Sequence, residues 1–183
     1  MKKYSFAILL LLVTAVLLLP RCAKNPDAAA DTPYEKKPTF GGYDSQVKWG
    51  EHLVTICACN DCHTPGFMQN PSAIPESQWL TGVPVGWQGP WGTTYAGNLR
   101  LFVHQIDEDA WVKYLHTRNA RPPMPWTAVN AMSDEDLRAM YAYIKSLGPA
   151  GEPAPAYVSP GEEPKTPFLQ LMPVMPKSKP ACE

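Results

Sequence analysis

The sequence predicts an all-α domain with long ordered loops. Two amphipathic helix patterns predict it, one near residue 50 and a clearer one over residues 133–147, with a proline-, glycine- and tryptophan-rich stretch between them that lacks helical period. In the first pattern Val47, Gly50, Val54 and Cys57 recur at spacings of three and four, with Leu53 beside them, so one face is apolar. Glycine on that face costs about 1 kcal/mol relative to alanine in a helix. Either a close helix–helix crossing or a tolerated surface position accounts for it.

Residues 70–98 hold Trp79, Trp87 and Trp91 among prolines and glycines and read as an ordered loop wrapping something apolar. Asp107-Glu108-Asp109 then opens a short helix with Trp111, Tyr114 and Leu115 on its buried face, the acidic residues suiting the positive end of the helix dipole. Ser133 and Asp136 resemble a capping box with aspartate in the glutamate position. Leu137, Met140, Tyr141, Ile144 and Leu147 form the continuous stripe, and Gly148-Pro149 stops it. Residues 44–150 are therefore expected to form the domain. Residues 151–183 are a proline-rich tail, expected to run extended over the surface or hang free and to contribute nothing to the core.

Among the 183 residues, 45% are hydrophobic and 18% charged, enough for a packed core. The formal net charge is -1, and the basic residues form only short pairs such as Lys36-Lys37. A nucleic-acid partner is disfavoured, because phosphate binding needs a concentrated basic surface. At the N-terminus Lys2 and Lys3 precede an apolar run over residues 6–19 that Pro20 ends. Residues 1–21 read as an export signal or membrane anchor, and residues 22–43 as a flexible tether. Cys22 stands where a lipidated cysteine would be, although Pro20 and Arg21 are poor cleavage-site residues. Lipidation, an uncleaved anchor and ordinary cleavage near Ala28 to Ala30 all place the remainder outside the cytoplasm, in the periplasm or on the outer face of the envelope, with the membrane reached through the N-terminus. In an oxidising compartment the five cysteines should be paired or consumed by chemistry.

Cys59-Asn60-Asp61-Cys62-His63 has the Cys-x-x-Cys-His spacing of covalent haem attachment, and it occurs once in the chain. Residues three apart share one side of a helical turn, so two thiols can form thioethers with the two haem vinyl groups while the next histidine reaches the iron. A redox-active dithiol would need a βαβ setting, and a zinc site a second ligand pair; the sequence offers neither. A second axial ligand is expected, and thioether sulfur raises the potential. Of the seven methionines, Met1 is remote, Met140 lies on the last helix stripe, and Met172 and Met175 lie in the tail. Met68 is too close to His63 to cross the haem, and Met132 adjoins a helix cap. Met124 is bracketed in Arg121-Pro122-Pro123-Met124-Pro125-Trp126, where prolines on both sides hold a weak ligand in place. It is the candidate sixth ligand. His52, His104 and His116 are the competing ones, each also readable as a surface or hydrogen-bonded histidine.

The helix leading into Cys59–His63-Thr64-Pro65, the segment Pro123-Met124-Pro125 and the last helix resemble the class I cytochrome c family over about three-fifths of the chain. Tyr95-Ala96-Gly97-Asn98-Leu99, Met124-Pro125-Trp126, Ser133 to Leu137 and Tyr141-Ala142-Tyr143 are similar to monohaem modules in cytochrome subunits of periplasmic dehydrogenases. The resemblance implies helices wrapped around one covalently bound haem c, with the first and last helices crossing at Gly50 near an aromatic such as Tyr141. It implies His63 and Met124 as axial iron ligands and a role in passing single electrons between redox partner proteins, such as a dehydrogenase, an oxidase or another respiratory complex. Those subunits usually carry several haem motifs, so a chain with one is a stand-alone carrier or a small subunit. Trp91, Tyr95 and Arg100 are candidate haem contacts. With both axial positions filled the iron has no open site, which favours an electron carrier over an enzyme; the alternative is a haem enzyme or gas-binding sensor with a displaceable distal ligand. Cys57, on the apolar helix face, reads as a buried, inert thiol, with a disulfide to Cys182 as the other option.

Overall fold

The structure is a computed structural model and describes residues 40–173. The expected export signal, Cys22, most of the tether, Met175 and Cys182 lie outside the described residues. Among the described residues there are six α-helices: α1 (Gln46–Ile56), α2 (Cys59–His63), α3 (Leu99–Phe102), α4 (Glu108–Thr117), α5 (Trp126–Asn130) and α6 (Asp134–Ser146). Among the described residues no helix is long and apolar enough to cross a membrane.

The all-α expectation holds only approximately. Residues 70–98 contain two single 3₁₀ turns and a hairpin of β1 (Gly86–Gly89) and β2 (Gly92–Thr94). A third strand, β3 (Phe168–Gln170), comes from the C-terminal segment and lies parallel to β1, giving the order β2-β1-β3. The strands are too short, and too broken by glycine and proline, for a period of two to show in the sequence.

The helices pack through one close crossing. Gly50 on α1 lies against the backbone of α6, where a Cβ would stand 1.9 Å from the Ala139 carbonyl oxygen and 2.8 Å from Tyr143 Cβ. Of the two readings of Gly50, the close crossing is the one found. The aromatic at the crossing is Tyr143, not Tyr141. Ala139 and Tyr143 are i, i+4 neighbours on the face turned to α1, whereas Tyr141 turns toward Trp111 and donates to the Ile106 carbonyl at 3.0 Å. Trp111 ties α4 to α6 by donating Nε1–H to the Leu137 carbonyl at 2.9 Å within the core.

Caps follow the local sequence. Ser45, Asp107 and Ser133 each accept a backbone N–H from the first turn of the helix they open. At α6 the box is altered: Ser133 Oγ donates to the Asp136 carboxylate at 2.9 Å, since aspartate is too short to reach back to the Ser133 amide. Arg100, a candidate haem contact, sits instead beneath the C-terminus of α6. It is 5% exposed and donates to the Leu147, Gly148 and Ser77 carbonyls, filling the acceptors a helix end leaves open. Cys57 is exposed, contrary to the buried thiol expected. α1 stops at Ile56, and Cys57 becomes its cap rather than a further residue of the apolar stripe.

His116 joins α4 to the elements that follow Met124. Its Nδ1 lies 3.1 Å from the Asn130 carbonyl at the end of α5, and its Nε2 lies 2.8 Å from Asp134. The Asn130 carbonyl first, and then the Asp134 carboxylate, raise its pKa above 6.5. The folded state therefore binds this proton more tightly than the unfolded state. Its stabilisation is complete below the unfolded value and is lost as pH rises through the folded one.

Two outcomes follow from this packing. Gly50→Ala should lower the unfolding free energy by about 3 kcal/mol, because the added methyl meets backbone rather than a movable side chain; denaturant titration measures it. The midpoint of denaturation should also fall as pH rises through the window above 6.5. His116→Asn should remove the part of that fall due to this histidine.

Candidate functional site

α1 ends and α2 begins within two residues. Ala58, at φ 54°, takes the left-handed conformation that turns the chain and caps α2. One turn of helix then carries Cys59, Cys62 and His63 together. Asn60 and Thr64 anchor that turn from beneath: both are buried, and Thr64 Oγ1 donates to Asn60 Oδ1 at 2.6 Å and accepts from the Leu80 amide at 2.7 Å. The His63 carbonyl accepts from the Gly82 amide at 2.8 Å.

His63 is 8% exposed, and its Nδ1 lies 2.7 Å from the Gly97 carbonyl oxygen. A carbonyl only accepts, so Nδ1 carries the proton, leaving Nε2 with a free lone pair and no partner among the described residues. Burial lowers the pKa, opposed by the Gly97 bond, and holds the ring in the neutral form that ligates metals. Burial pushes the Cys59 thiol up to about 12, and the Cys62 thiol is raised by burial and then by Asp61. Reactive dithiols have values shifted the other way, downward. Among the described residues no three His, Cys, Asp or Glu side chains converge as a metal held by such side chains alone requires.

The described methionines separate by environment. Met140 is in the core and Met132 packs against it, while Met68 is 62% and Met172 is 49% exposed. Met124 is half-buried and outside the core cluster, in the loop between α4 and α5. The other histidines are accounted for: His52 stacks near Tyr43, His104 is exposed, and His116 makes the bonds above. Trp91 and Tyr95 flank β2; the Tyr95 hydroxyl bonds Thr166 Oγ1 at 2.9 Å, in the C-terminal segment.

Trp91 and Trp126 each bury an indole N–H with no partner among the described residues. An unmet buried donor costs about 1–3 kcal/mol, so two of them call for acceptors from a bound group. Two thiols at thioether spacing, a neutral imidazole with Nε2 free and two unmet donors fit a covalently attached haem, whose carboxylates are such acceptors. Two open clefts of about 570 and 580 Å³ lie against the C-terminal segment, and neither is lined by Cys59, Cys62, His63 or Met124. The Gly97 carbonyl, the Asn60–Thr64–Leu80 anchor and the unmet Trp126 donor were not singled out in the sequence. Asn60, Thr64, Gly97 and Trp126 stood there only as members of quoted motifs, with no role of their own.

The Cytochrome c family matches residues 47–148, which hold Cys59, Cys62, His63 and Met124. The fructose dehydrogenase cytochrome subunit of Gluconobacter japonicus is 25% identical over 161 residues, covering 78% of this chain. The chain spans 29% of that relative's length. No solved structure gives a significant match. With the family match extending over more than half of its 183 residues, the chain belongs to the cytochrome c family, whose members bind haem c covalently.

Proposed function

We propose that this chain is an exported single-electron carrier with one haem c, joined through Cys59 and Cys62 and ligated by His63 and Met124. The observation that carries the reading is the buried, neutral His63, whose Nδ1 is held at 2.7 Å by the Gly97 carbonyl on the same turn as both thiols. Bound, the haem supplies a reversible one-electron couple at iron. Cys59 and Cys62 fix its position, and the Gly97 carbonyl sets the ring orientation of His63 and raises its basicity as a ligand. Met124 would supply the second iron ligand. Its proline-bracketed backbone limits the entropy lost in holding a weak thioether ligand. Trp91 and Trp126, whose buried indole N–H groups have no partner among the described residues, would donate to the haem carboxylates.

With both axial positions filled by protein, the chain transfers electrons rather than catalysing a reaction on a substrate. Similarity to a dehydrogenase cytochrome subunit supports a dehydrogenase as the redox partner. Residues 44–150 carry every group proposed to hold the haem. The apolar run over residues 6–19 directs the chain out of the cytoplasm, and the N-terminus tethers it to the membrane through lipidated Cys22 or the run itself.

Met124→Ala should abolish the weak near-infrared sulfur-to-iron band of the ferric protein and open the iron to carbon monoxide in the ferrous one. It should also lower the reduction potential by a sizeable part of the roughly 0.8 V range that axial ligands span. Met68→Ala, at an exposed site, should change none of these. Wild-type protein that binds carbon monoxide readily, with Met124→Ala silent, would overturn the ligation and favour an open-site enzyme or sensor.

A further inference from the structure

The loop that carries Met124 has few attachments of its own. Pro122 and Pro123 have no amide hydrogen to donate. Among the described residues, a single hydrogen bond ties residues 119–123 to the rest of the protein: Thr94 Oγ1 donates to the Pro122 carbonyl at 2.7 Å. The second attachment comes from the C-terminal segment. The Arg121 guanidinium lies 3.6 Å from the centre of the Tyr157 ring, within the range of a cation–π contact.

Tyr157 is itself fixed from three directions. Its hydroxyl donates to the Trp91 carbonyl at 2.8 Å. Next to it, Val158 exchanges two backbone hydrogen bonds with Thr93, at 2.8 and 3.0 Å. Gly92 lets the strap approach this closely, because a Cβ there would lie 2.3 Å from the Val158 carbonyl oxygen and 2.9 Å from the Tyr157 ring. Further along, beyond buried Pro164, the Thr166 bond to Tyr95 and the pairing of β3 with β1 hold the strap down.

From this geometry we infer that Tyr157 is a positioning residue for the axial methionine: through Arg121 it holds the 121–124 loop and so keeps the sixth coordination site closed. The inference rests on the proposed ligation by Met124. The tail was expected to run over the surface or hang free and to contribute nothing to the core. Among the described residues the tail makes no hydrogen bond to His63 or Met124, and it acts through Arg121, three residues before the ligand. Thr94 and Tyr157 restrain the loop at adjacent residues, so losing one leaves the other as a pivot about which Met124 can swing away from iron.

The test is imidazole binding to the ferric holoprotein, in which an added ligand competes with Met124. Tyr157→Ala should raise imidazole affinity several-fold, the scale of one lost cation–π contact, and should weaken the near-infrared band. Arg121→Ala should reproduce this, and the double variant should add nothing, because both changes remove one contact. Tyr157→Phe, which keeps the ring beneath Arg121, should stay near wild type. Val112→Ala, a core change away from the strap, should lower stability without changing imidazole affinity. If Tyr157→Ala yields no holoprotein, exposed Arg121→Ala carries the test. Wild-type affinity in Tyr157→Ala and Arg121→Ala, beside an open iron in Met124→Ala, overturns the inference and leaves the ligation standing. A silent Met124→Ala overturns both.

Discussion

The contact between Gly50 and the Ala139 carbonyl sets the distance between α1 and α6, and the site hangs from that distance. Only a residue without a side chain lets two helix backbones approach so closely. The approach buries Leu53 and Val54 on one side against Tyr143 and Ile144 on the other. α1 is short, so fixing its middle also fixes its end. Within two residues of that end Ala58 turns the chain into α2, and one turn later His63 lies under the Gly97 carbonyl. The packing of two helices is thereby converted into the orientation of one imidazole ring.

Polar groups complete what apolar burial starts. Leu80 takes its amide bond from a buried threonine rather than from a strand or helix neighbour, so the loop after α2 is stapled to the turn that carries the cysteines. Arg100 does the same at the far end of α6, gathering carbonyls from the helix terminus and from residue 77. Both staples are buried, where a hydrogen bond is worth most and its loss leaves a stranded partner. The wrapping loops are ordered because their backbone groups are satisfied this way, not because they belong to regular elements.

The sequence made the helices legible where period and caps agreed: Asp107 and Ser133 open α4 and α6 as expected, and the Leu137–Met140–Ile144 stripe is buried. It showed the cysteine–histidine motif and the isolation of Met124 because both depend on residue type and spacing. It did not show Ala139 or Tyr143 at the crossing, since a small residue and an aromatic off the main stripe carry little apolar signal. The role of Arg100 was hidden for another reason: its partners are carbonyls, which every residue has. β3 and the Tyr157–Arg121 contact were hidden because they join segments far apart in sequence through a proline-rich stretch with no period. Cys57 misled because it continued the spacing of α1 past the point where the backbone leaves the helix.

The central claim is that a single haem is bound covalently through Cys59 and Cys62, and the intact mass of protein produced with a cytochrome maturation system tests it most directly. The account predicts the mass of the chain plus one haem, retained after acid–acetone extraction, and loss of that haem when Cys59 and Cys62 are both replaced by serine. A mass with two haems, a haem that extracts freely, or a covalent haem that survives the double replacement would contradict it.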